Sequence, residues 1–86
     1  MIQVSYKPSF IRQMNKLEKS LVDEVLYKIG ILKNANDYTS LKIHKLHGRM
    51  NNNWSFSVNY KIRIVFEYES KKEIVLLAIG DHDVYN

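Results

Sequence analysis

The chain has 86 residues, a net charge of +4 and no cysteine, which allows one small domain over 1–86 and excludes disulfide or cysteine-metal support for its core. Polar residues interrupt every apolar run near the start and nothing approaches a membrane span, so a soluble cytoplasmic protein with no membrane association is expected. On that expectation the Asn53-Trp54-Ser55 match to a glycosylation acceptor is without meaning, because such a site needs a secretory route.

Residues 2–6 alternate apolar and polar and predict a first strand ahead of Pro8. The period then changes. Phe10, Met14, Leu17, Leu21, Val25, Ile29 and Leu32 recur at spacings of three and four, which puts them on one helical stripe. Ser20 followed by Asp23 resembles a capping box, so the stripe is divided there into two helices forming a hairpin. Gly30 weakens the second helix by about 1 kcal/mol relative to alanine and leaves its last turn open, and residues 34–40 read as a loop.

No aspartate or glutamate occurs between Asp37 and Glu67, while Lys42, Lys45, Arg49, Lys61 and Arg63 fall in that window with His44 and His47. A local positive field of this kind suits a polyanion or an acidic protein, although an ordinary lysine-rich surface reads the same way. After a turn at Asn51–Asn53 the two-residue period returns. Trp54, Phe56 and Val58 share one face, and Tyr60, Ile62, Ile64, Phe66 and Tyr68 form the apolar face of the next strand, with Lys61, Arg63, Val65 and Glu67 opposite. The run Glu73–Ile79 is continuously apolar after its first residue and predicts a strand covered on both faces, hence central.

The expected fold class is therefore α+β: an N-terminal strand, a helical hairpin, then a three-stranded antiparallel meander, with the helices packed on one face of a twisted sheet. On that plan Arg63 and Lys61 project from the uncovered face, and the last strand delivers the tail to its rim.

The segments "HKLHG", "WSFSVNYKIRIVFEY" and "IVLLAIGDHDVY", taken in order, resemble the RelE/ParE superfamily of type II toxin-antitoxin toxins, over nearly the whole chain. The matching positions are His44, Leu46 and Gly48, then Arg63 ahead of Ile-Val-Phe, then Gly80, His82, Asp83 and Tyr85. The paired histidines are closer to the YafQ-like branch of RNA-cleaving toxins than to the gyrase-directed one. The resemblance implies an endoribonuclease that cleaves mRNA, commonly on the ribosome, and a cognate antitoxin protein as partner. It also leaves a non-catalytic gyrase inhibitor, or a degenerate module that only binds antitoxin, as alternatives.

Cleavage without metal or other cofactor uses the ribose 2′-hydroxyl as nucleophile and needs a base, an acid and positive charge facing the phosphorane. The candidate catalytic set is His44, Arg63, His82 and Tyr85. Histidine suits both proton transfers because its reference pKa, about 6.5, lies near working pH. Arg63 would grip the scissile phosphate through its planar fork, and Asp81 or Asp83 would orient the His82 ring. Tyr85 would stack on a base or donate its hydroxyl to the phosphate. Lys42, Lys45, Arg49 and Lys61 are the candidate RNA-binding cations, holding flanking phosphates without reading sequence. Each has a plainer reading: His44 could bond to loop backbone, Arg63 could pair with Glu67, and His82 could be surface decoration. His47 falls at the variable position of its segment, and His44-x-x-His47 without other ligands is a weak metal signal.

Overall fold

The structure is a computed structural model and describes residues 2–34, 41–48 and 52–81. Among the described residues the elements are β1 (Gln3–Tyr6), α1 (Pro8–Met14), α2 (Lys19–Asn34), β2 (His44–Lys45), β3 (Trp54–Ser57), β4 (Arg63–Ser70) and β5 (Glu73–Gly80). The strands form one sheet in the order β1-β5-β4-β3-β2. The meander β3-β4-β5 is antiparallel, and β1 joins the outer side of β5 in parallel. β5 thus lies inside the sheet, as its apolar run predicts.

α1 begins on Pro8, where a missing N–H is harmless and the fixed φ is already helical. The break between the helices falls before Ser20. Lys16 and Leu17 donate to the carbonyls of Gln13 and Met14 three residues back, and the Glu18 carbonyl then accepts from Leu21 and Val22 as α2 starts. Ser20 lies inside the first turn of α2 rather than at a cap. The tight bonds turn the chain without upsetting the spacing of Met14, Leu17 and Leu21, so the apolar stripe runs through the break and conceals it. α2 continues past Gly30 to Asn34; residues 35–40 of the expected loop lie outside the described residues.

Phe10, Val25, Ile29 and Leu32 of the helices are buried in one cluster with Phe56, Ile64, Phe66, Ile74, Leu76 and Ile79 of the sheet. Every second residue of β4 therefore faces the helices, which fixes Arg63, Val65 and Glu67 on the other side.

Two readings are corrected. β2 adds a fifth strand, because the first two residues of "HKLHG" pair with β3 at His44–Ser55 and Lys45–Trp54. A two-residue strand is too short to show a period. Tyr60 and Lys61 are not strand residues: Asn59 bends the chain back with its side-chain oxygen accepting from the amides of Lys61 and Ile62, both at 2.8 Å. Tyr60, expected on the apolar face, is 90% exposed at that turn, and Tyr68 is 39% exposed at the far end of β4.

Candidate nucleic-acid interface

The register of the sheet settles which side chains share the helix-free face. His44, Ser55, Val65 and Ala78 form one row across β2, β3, β4 and β5, and Ser57, Arg63 and Gly80 form the next. Rows two residues apart are separated by about 6.6 Å and neighbouring strands by about 4.8 Å, so the His44 and Arg63 backbones lie roughly 12 Å apart with both side chains on one side. Ser55 and Val65, between them, are buried.

Arg63 is half-buried at the start of β4. Its Nη1 donates to the Asn59 carbonyl at 2.7 Å and to the Ile62 carbonyl at 3.3 Å. It is thus bonded to its own turn rather than to Glu67. Among the described residues neither Nε nor Nη2 has a hydrogen-bond partner, so that edge offers the parallel donors that bind a phosphate or carboxylate in two places. Lys28 from α2, Lys42, Ser57, Val58, Asn59 and Tyr60 join Arg63 around a cavity of about 180 Å³. Three cations on so small a concavity focus a positive potential there.

His44 is exposed, and its Nδ1 lies 3.2 Å from the Lys42 carbonyl. A carbonyl only accepts, so Nδ1 carries the proton and Nε2 of the neutral ring is left as the acceptor. Lys42 holds a left-handed φ of 53°, a conformation sparsely populated by residues other than glycine. The bond to loop backbone and a proton-accepting role are thus compatible, because they use different ring nitrogens.

The remaining sequence candidates divide. Lys61 is exposed at the turn beside the cavity. Lys45 pairs with Trp54, which pairs with Phe66, so it falls on the opposite side of the sheet from His44 and Arg63. His82, Tyr85 and Arg49 lie outside the described residues, as does Asp83. Lys28 and Asn59 were missed. Lys28 lies off the apolar stripe by which α2 is recognised, whereas Asn59 carried a readable signal, since asparagine between two alternating runs favours a turn.

A larger cavity, of about 600 Å³, is lined by Lys45, Asn52, Trp54, Glu67, Tyr68 and Glu69. Size favours it, but two glutamates against one lysine make it a poor seat for a polyanion, and chemistry favours the smaller one.

No family model matches the chain, and no curated protein matches it. Solved structures do. YafQ from Escherichia coli strain BL21(DE3) superposes with a TM-score of 0.80 at 13% identity, over 99% of this chain and 98% of that one. A YoeB/ParE toxin from Agrobacterium tumefaciens gives 0.76 at 16% identity, over 94% and 99%. The archaeal RelE-RelB complex from Pyrococcus horikoshii OT3 gives 0.75 at 17% identity, over 93% of each chain. The two helices on a five-stranded sheet are the fold of the RelE/ParE toxin superfamily. YafQ shares this fold.

Proposed function

We propose that the protein is the toxin of a type II toxin-antitoxin module and an endoribonuclease that cleaves mRNA, in association with the ribosome, by attack of the 2′-hydroxyl on the adjoining phosphate. The observation that carries this reading is the convergence on the helix-free face: His44 and Arg63 occupy neighbouring rows, and Gly80, the last residue of β5, pairs directly with Arg63. Covalent geometry alone keeps the His82 Cα within about 7 Å of that of Gly80. In this reading His82 is the second imidazole of the site.

In this reading Nε2 of His44 takes the 2′-hydroxyl proton and His82 gives a proton to the leaving 5′-oxygen, producing a 2′,3′-cyclic phosphate and a free 5′-hydroxyl. Arg63 offers its Nε–Nη2 edge to the phosphorane, whose charge exceeds that of the ground-state phosphate, so its donors count for more in the transition state. Tyr85 stacks on a base or bonds the phosphate. Lys42, Lys61 and Arg49 hold neighbouring phosphates, and no metal or cofactor is invoked. Lys45, on the other face, is left to contacts away from the scissile bond. The partner is a cognate antitoxin, as RelB is to RelE in the Pyrococcus horikoshii complex and DinJ to YafQ in another matching structure. An acidic antitoxin segment would be drawn to the same basic face.

Mapping of 5′ ends after incubation with RNA or a translating extract tests the reading. Discrete cuts are expected, with the rate falling about 10²–10³-fold in Arg63→Ala. Intact RNA together with inhibition of gyrase supercoiling by both proteins would overturn the nuclease in favour of the non-catalytic toxin.

A further inference from the structure

Asn59 makes an unusual number of directed contacts for a half-exposed turn residue. Its Oδ1 accepts from the amides of Lys61 and Ile62 at 2.8 Å each, and its Nδ2 donates to Glu24 Oε1 of α2 at 2.9 Å. Its own carbonyl accepts from Arg63 Nη1 at 2.7 Å. The turn is closed by the Val58 amide donating to the Ile62 carbonyl at 2.9 Å, and Ile62 offers that carbonyl to Arg63 Nη1 as well, at 3.3 Å. The guanidinium is thus held by both ends of a turn that one side chain shapes, and that side chain is moored to a helix 35 residues earlier in the chain.

We infer that Asn59 is a positioning residue for Arg63: it fixes the turn carbonyls that engage Nη1, and so aims the Nε–Nη2 edge into the basic cavity. The inference rests on the reading of Arg63 as the phosphate-binding group. Alternative roles fit less well. A turn needs only the Oδ1 acceptor, which aspartate or serine supplies equally, whereas the amide donor to Glu24 adds nothing to turn geometry. What the mooring adds is a fixed position of the turn relative to α2, which also carries Lys28, another residue of the same cavity. A misplacement of about 1 Å in a group that contacts the reacting atoms can cost about 10²-fold in rate.

The test combines activity with a measurement that needs no activity. In Asn59→Ala, kcat for RNA cleavage is expected to fall about 30- to 100-fold with KM changed less than threefold. In an Arg63→Lys background the same change is expected to lower kcat less than threefold, because a lysine ammonium has no fork to aim. Asn59→Asp sets a carboxylate against Glu24 and should behave like Asn59→Ala. Adding Glu24→Gln to Asn59→Asp restores a donor and should recover at least a third of the wild-type rate. Independently, the Arg63 Nη1 and Nη2 nitrogens should give separate NMR resonances in the wild type, through hindered rotation, and coalesce in Asn59→Ala. Equal rate losses in the Arg63 and Arg63→Lys backgrounds, or unchanged Arg63 resonances in Asn59→Ala, would overturn the inference. If the wild type cleaves no RNA, the nuclease reading fails, and the resonances still decide whether Asn59 holds Arg63.

Discussion

In the proposed cleavage His44 and Arg63 divide the chemistry between a group that moves a proton and one that holds charge still. His44 keeps Nδ1 engaged with the Lys42 carbonyl and so presents Nε2 in a defined tautomer. His44→Ala is accordingly expected to lower the cleavage rate about 10²-fold, within the range for loss of a general base, while affinity for an uncleavable RNA changes little. Tyr68 shows the other use of a titratable side chain. Partial burial beside Phe66 and Trp54, with ring centroids at 5.6 and 5.5 Å, raises its pKa above the ordinary 10.0 by disfavouring the phenolate. The unfolded chain releases this proton from about pH 10.0 upward while the folded chain retains it. Stability should therefore fall as pH rises past that value, and denaturant titrations of Tyr68→Phe should show a weaker alkaline loss than the wild type.

At the scale of elements, two glycines make opposite demands. Gly30, inside α2, has nothing within 4 Å of where a Cβ would sit, so Gly30→Ala should stabilise the protein by about 0.5–1 kcal/mol. Gly48 holds φ +73°, so Gly48→Ala should destabilise it by about 1–2 kcal/mol despite equally open space. Thermal melts of the pair should shift in opposite directions. The strands that pack on the helices were legible in the sequence because Phe56, Ile64, Phe66, Ile74 and Leu76 keep a strict period, and β5 was legible as central because both its faces are apolar. β2 was not: a two-residue strand has no period, and its pairing depends on β3, distant in sequence. Nor was the early end of α1, since the tight bonds at Lys16 and Leu17 preserve the stripe. The extent of the turn at Asn59 was concealed differently, because Tyr60 and Ile62 extend the alternation of β4 backwards into residues that are not strand.

For the whole molecule, the sheet brings together what the sequence keeps apart. Arg63 and His44 could be assigned to one site from motif order, but their common face follows from two strand pairings that no local pattern encodes. The same pairings put Lys45 on the other side, a consequence of the one-residue offset within β2. The pairing of Gly80 with Arg63 gives the tail its starting point, and among the described residues the core cluster draws on none later than Ile79. Removal of residues 82–86 should therefore abolish cleavage while circular dichroism and the cooperative melt are largely retained. The most direct measurement of the convergence itself is an NMR titration with a short RNA carrying 2′-O-methyl groups, following the side-chain resonances of Arg63, His44 and His82. Shifts in all three, with the helical residues Leu26 and Tyr27 unmoved, are the expected result. Saturable binding that shifts the helices and leaves Arg63 and the two imidazoles unchanged would contradict a site on the helix-free face of the sheet.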